Sequence, residues 1–211
     1  VQESENRGRQ NETVIIKVAH DYNCPWCWIG IKQMERLQNE FDVEFDLIGY
    51  ELMPEELPWG DAAPRPEPDP RRPATPSRMD LAYAASAVEA PPKIQPSKMR
   101  THNALLATEY AKSVGVGFEF AQRLYTAYWL EGIVINDLEE LMRLAEGIIP
   151  DLNALKSSIE SKEFESNIVK FDDDAYAAGV FNVPTYFIGG KKYAEQPYEV
   201  LATAIRNETE L

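Results

Sequence analysis

At 211 residues, 44% of them hydrophobic, the chain is long enough to bury a substantial core, as one domain with an insertion or as two small ones. Its 35 acidic residues against 21 basic give a net charge of −14, which argues against nucleic acid or an anionic membrane surface as a partner. No run approaches the ~20 apolar residues of a membrane span and no signal-peptide core is visible. A cytoplasmic location is therefore expected, with a periplasmic or secreted mature chain as the alternative.

Residues 1–12 are polar and read as a disordered tail. Thr13 to Ala19 is short, β-branched and mostly apolar, as expected of a strand buried on both faces. Next come the chain's only two cysteines, in Cys24-Pro25-Trp26-Cys27. Downstream, Cys27, Ile31, Met34, Leu37 and Phe41 recur at three- and four-residue steps, which marks one face of a helix from Pro25 to about Asn39. Pro25 suits the first helical position, where its missing N–H would have no partner. That makes Cys24 the N-cap, with its sulfur facing the free amides of Trp26 and Cys27 and the positive end of the helix dipole. Both effects favour thiolate, so Cys24 is the expected nucleophile. Cys27, one turn inside, would resolve the mixed disulfide that Cys24 forms.

Two other uses of the pair are weaker. A structural disulfide across so short a loop removes little chain entropy. A zinc site drawing on His20 and His102 lacks the paired histidine spacing such sites use.

Val43 to Tyr50 alternates and reads as a second strand, completing a βαβ unit whose two strands should be parallel. Prolines at 54, 58, 64, 66, 68, 70, 73 and 76 then exclude regular helix or central strand, giving an extended loop over 54–76. Residues 77–165 carry helical patterns at Leu81–Val88, Lys98–Val114, Phe118–Leu130, Asp137–Glu146 and Asp151–Ser157, with another from Ser161 onward. Gly115-Val116-Gly117 follows a helix and lacks a third glycine, so it reads as a helix end and not a dinucleotide loop. Thr185–Ile188 and Lys191–Ala194 flank a Gly-Gly pair suited to a two-residue hairpin turn, and a last helix runs from Pro197 to Arg206. The acid runs Asp172-Asp173-Asp174 and Glu139-Glu140 read as solvated helix faces.

This order of parts, with Asp21-Tyr22-Asn23-Cys24-Pro25-Trp26-Cys27-Trp28-Ile29-Gly30, Thr101 to Leu106 and Ala178 to Thr185, resembles the DsbA-like thioredoxin-fold superfamily. The likeness is to its FrnE-like branch, related to 2-hydroxychromene-2-carboxylate isomerases and kappa-class glutathione transferases. It implies an α/β fold with a thioredoxin-like mixed sheet (βαβ then ββα) and a large all-helical insertion. The thioredoxin-like domain would comprise 13–53 and 166–211, and the insertion 77–165.

The resemblance further implies a cis Val183–Pro184 peptide bond facing the cysteines, with Val183 and Pro184 binding an extended substrate as an added strand. Pro25 and Trp26 would tune the pair, and because Trp26 brings no charge the site should be less oxidising than DsbA at about −120 mV. Asp21 resembles the family's acidic residue ahead of the motif, a base or a loop brace. His20 could carry protons near the sulfurs or be structural, and His102 could line the cleft or join helices.

The implied activity is protein disulfide oxidoreduction on thiol or disulfide proteins or small thiols. It requires no metal or organic cofactor, and glutathione is a candidate co-substrate. A glutathione-dependent isomerase or transferase, and a peptide-binding holdase, are the alternatives. The direction of electron flow and the oligomeric state stay open at this level.

Overall fold

The computed structural model describes residues 13–55, 69, 71, 75–97, 99–170 and 173–209. The expected tail at 1–12 and most of the proline-rich loop lie outside the described residues, as does Asp172 of the acid run.

Strand β1 (Val14–His20) is central in a five-stranded sheet, flanked on one side by β2 (Val43–Glu51) and then β3 (Val169–Lys170) and on the other by β4 (Thr185–Ile188) and then β5 (Lys191–Ala194). It pairs in parallel with β2 (Val43–Glu51), Val14 opposite Val43 through His20 opposite Gly49, and antiparallel with β4 (Thr185–Ile188). A parallel pair needs a crossover, supplied by helix α1 (Pro25–Glu40), which buries Cys27, Ile31, Met34 and Leu37, the stripe read from the sequence. β5 (Lys191–Ala194) closes the other edge through a turn in which Gly189 and Gly190 have φ of +54° and +73°. Two successive positive φ values are what a primed turn demands and what glycine supplies without steric cost.

The insertion is helical: α2 (Arg78–Ser86), α3 (His102–Ser113), α4 (Gly117–Glu131), α5 (Leu138–Ala145) and α6 (Leu152–Glu160). α3 packs on α4, α5 and α6, and both α3 and α4 pack on β2. The insertion therefore shares one continuous apolar core with the sheet, joining Phe120, Leu124 and Leu105 to Ile16, Val18 and Leu47. α2 differs. Ser77 and Asp80 form a reciprocal cap at its start, yet Tyr83 is its one buried side chain, so it rests lightly on α1.

The pattern from Ser161 onward is not a helix. α6 stops at Glu160, Lys162 turns left-handed at φ +54°, and a 3₁₀ turn at Glu165–Asn167 leads into a two-residue strand β3 (Val169–Lys170). β3 pairs in parallel with Tyr50 and Glu51 at the end of β2, a pairing set by tertiary position and not by local pattern. α7 (Asp173–Ala177) and α8 (Tyr198–Thr209) complete the chain, and no helix among the described residues is long and apolar enough to cross a membrane.

Candidate active site

The end of β1, the start of α1 and the turn before β4 meet at one point. Cys24 has extended backbone (φ −83°, ψ 119°) and Pro25 is the first helical residue, so the N-cap assignment holds. Its carbonyl accepts the first helical bonds from the amides of Cys27 and Trp28, at 3.0 and 3.2 Å. The sulfur itself does not accept from the first-turn amides, contrary to the sequence expectation. It donates instead to the carbonyl of Val183 at 3.4 Å.

Both thiols are free. Both residues are buried, Cys27 almost completely at 1% exposed and Cys24 less so at 8%. Burial, and then the neighbouring Cys24 sulfur, push the Cys27 thiol well above its ordinary value.

The Val183–Pro184 bond is cis. Pro184 packs so closely on α1 that a Cβ at Gly30 would lie 3.0 Å from its Cγ and 3.2 Å from the Tyr186 hydroxyl, which itself donates to the Gly30 carbonyl at 3.1 Å. Gly30, part of the family-like string, thus leaves the room that the Pro184 ring and the Tyr186 hydroxyl fill. The Pro184 carbonyl is already used by the Glu195 amide at 2.9 Å, while that of Val183 faces the Cys24 sulfur.

Asp21 is wholly enclosed. Its Oδ1 accepts from the Tyr22 amide and its Oδ2 from the Leu52 amide, each at 2.7 Å, which ties the loop ahead of the cysteines to the end of β2. Burial lifts its carboxyl to about 7, against the opposing pull of the Leu52 hydrogen bond. Its charge also raises Cys27.

His20 sits among Tyr22 and Tyr125, its Nδ1 2.9 Å from the Tyr125 hydroxyl and its Nε2 without a partner. Desolvation, and then Lys112, lower it to about 3, so the ring is neutral across physiological pH and placed as a structural residue. His102 is held elsewhere, Nδ1 2.9 Å from Glu51 and Nε2 2.7 Å from Glu165, and the Glu51 hydrogen bond raises it. Among the described residues no group of three or more His, Cys, Asp or Glu is placed to hold a metal ion.

Several residues that the sequence did not single out act on the site. Trp129 Nε1 donates to the Tyr22 carbonyl at 2.9 Å, Tyr125 to the Asp21 carbonyl at 3.2 Å, and the Tyr22 hydroxyl meets Thr108. α3 and α4 therefore brace the loop carrying Cys24. Trp26 carries the Arg78 guanidinium 5.0 Å above its ring, and Arg78 also lies 3.7 Å from Glu195. A cleft of about 240 Å³ opens against Trp26 and Pro184, walled also by Ile29, Ala82, Ala85 and Pro197.

A family model, the DSBA-like thioredoxin domain, matches residues 15–206. The chain is 30% identical over 178 residues to the uncharacterized protein YwbO of Bacillus subtilis, covering 84% of this chain and 88% of that protein. Among solved structures it resembles a probable DsbA oxidoreductase from Streptomyces coelicolor, with TM-score 0.71 and 19% identity over 92% of this chain and 89% of that one. It also resembles the cytosolic disulfide reductase DsbM from Pseudomonas aeruginosa, determined with GSH, with TM-score 0.65 and 15% identity over 94% of this chain and all (100%) of that one. At these identities the two structures speak for the fold alone.

Proposed function

The chain belongs to the DSBA-like thioredoxin domain family, and on that premise we propose that it is a thiol–disulfide oxidoreductase working through Cys24 and Cys27. The asymmetry of the pair carries this reading. Both cysteines are buried, but Cys24, the less enclosed one, sits at the amino end of a helix beside the Val183–Pro184 turn, and Cys27 lies a turn behind it.

As thiolate, Cys24 attacks one sulfur of a substrate disulfide; a Cys24–substrate disulfide forms and the other substrate sulfur leaves as thiolate. Cys27 then gives its proton to the Asp21 carboxylate, attacks Cys24, and expels the second substrate thiolate, so two electrons pass from the pair to the substrate. Run backwards, the same steps oxidise a dithiol. Loss of the Cys24 proton also frees the Val183 carbonyl, which is then open to an N–H of an extended substrate. The apolar cleft beside Trp26 suits a side chain flanking the reacting cysteine of a polypeptide.

Two sulfurs hold the electrons, so no metal or organic cofactor is needed. Glutathione is the candidate small thiol that recycles the pair, a choice supported by the Pseudomonas neighbour determined with GSH, and a cytoplasmic site of action fits that reductase's description as cytosolic.

Trapping tests the roles. Cys27→Ser should accumulate a mixed disulfide with a model substrate and Cys24→Ser should not. Equal accumulation by both variants would reverse the assignment.

A further inference from the structure

We propose that His102 is a positioning residue of the exchange reaction: held between Glu51 and Glu165, its positive charge offsets the Glu51 carboxylate beside Asp21 and so keeps Asp21 free to accept the Cys27 proton. This rests on the reading of Asp21 as base and extends it to three residues outside the cysteine site.

The arrangement runs inward from the surface. The Glu165 side chain is 39% exposed, that of His102 17% and that of Glu51 1%, and Asp21 is fully enclosed. Glu51 immediately precedes Leu52, whose amide donates to Asp21, so the two carboxylates are close neighbours in the structure. One oxygen of Glu51 meets His102; the other, Oε1, is buried with no partner. The Thr101 hydroxyl is buried beside Asp21 and favours its ionised form.

A simple fastening of α3 to β2 would account for the His102–Glu51 bond. It does not account for a second buried acid, Asp21, held by the amide of the very next residue and close enough for the Glu51 charge to act on it. Glu51 acts on Asp21 through its charge, which opposes ionisation there. An imidazolium bonded directly to Glu51 cancels most of that opposition.

The other groups around this point are accounted for. Facing Asp21 are Cys27 from α1, Tyr22 from its own loop and Tyr125 from α4; His20 is neutral. Lys170 stands opposite Glu51 in the β2–β3 pairing, and Glu165 takes the far nitrogen of the ring.

The two partners therefore have opposite effects. Removing the His102 charge leaves Glu51 less compensated, so Asp21 holds its proton to higher pH and Cys27 attack begins later. Removing the Glu51 charge does the reverse. The probe is an aromatic disulfide that releases a coloured thiolate, once when Cys24 attacks and again when Cys27 resolves. The pH dependence of the second release should move up by about one unit in His102→Gln and down by about one unit in Glu51→Gln. The double variant should return near the parent profile, and the first release shows whether each variant keeps an intact site. Shifts in the same direction, or none in Glu51→Gln with the first release normal, would overturn the proposal. Asp21→Asn separates the two levels. If it leaves the second release unchanged at every pH, the reading of Asp21 as base falls and this proposal with it; if it slows that release while the other two variants leave the profile in place, only the role of His102 falls.

Discussion

Replacing Asp21 with asparagine should make the protein less stable in acid and more stable in mild alkali. An aspartate with an ordinary value of 3.8, raised to about 7 by enclosure, holds its proton in the folded chain after the unfolded chain has released it. Between these values the folded state binds more protons, so stability falls as pH rises through the window. A shift of about three units corresponds to about 4 kcal/mol. Asparagine removes that loss but substitutes an NH₂ for one of the two oxygens that accept the Tyr22 and Leu52 amides. The mismatch costs about 1–3 kcal/mol at every pH. The difference in unfolding free energy, variant minus parent, should therefore start negative at pH 4 and rise by about 4 kcal/mol by pH 8, crossing zero between. Urea unfolding followed by tryptophan fluorescence at half-unit steps measures it. His20 titrates in both proteins and cancels in the difference. A difference flat across this range would mean that Asp21 is not a buried acid, and its role as proton acceptor for Cys27 would go with it.

His20 gives the opposite slope. Lowered from 6.5 to about 3, it stays neutral in the folded chain while the unfolded chain takes up a proton, so stability drops as pH falls below 6.5, by about 5 kcal/mol in full. His20→Asn, which keeps a donor toward Tyr125 but does not titrate, should flatten the acid limb of the unfolding curve; an unchanged limb would count against it. Gly30→Ala should cost about 1–3 kcal/mol, because its Cβ enters the 3.0–3.4 Å gap to Pro184 and Tyr186; a neutral thermal melt would contradict that packing. Trp129→Phe leaves the Tyr22 carbonyl without its donor and should lower stability by about 1–3 kcal/mol, read by urea titration. Ala85→Trp fills the cleft beside Trp26 and should lower kcat/KM for a polypeptide disulfide about tenfold while sparing a small aromatic one; equal loss for both would argue against a side-chain subsite.

The main elements were legible because each has a local cause. Proline after Cys24 starts a helix, Cys27, Ile31, Met34 and Leu37 share its buried face, and Gly189-Gly190 permits the hairpin. β3 was missed because two residues, Val169 and Lys170, carry no pattern of their own and become a strand only against the end of β2. The helix expected after Ser161 failed at Lys162, whose left-handed backbone is set by the turn toward β3 and has no sequence signal in a lysine. At the site, the cysteines and the Val-Pro-Thr turn stood out as rare residues at fixed spacing. Glu51, Tyr125 and Trp129 did not, since a strand-end glutamate and two aromatics in a helical stripe show their contacts only when the chain is folded. The sulfur of Cys24 turned to the Val183 carbonyl, 159 positions away in sequence, and not to the helix amides nearest it.

The central claim is that Cys24 and Cys27 exchange two electrons as one unit. Equilibrating the protein across a series of reduced-to-oxidised glutathione ratios, quenching with acid and weighing each species by mass spectrometry tests it directly. The account predicts a single two-electron transition between dithiol and intramolecular Cys24–Cys27 disulfide, with a midpoint more negative than about −120 mV. A pair that remains dithiol at every ratio, or that stops as an unresolved glutathione adduct on Cys24, would contradict it.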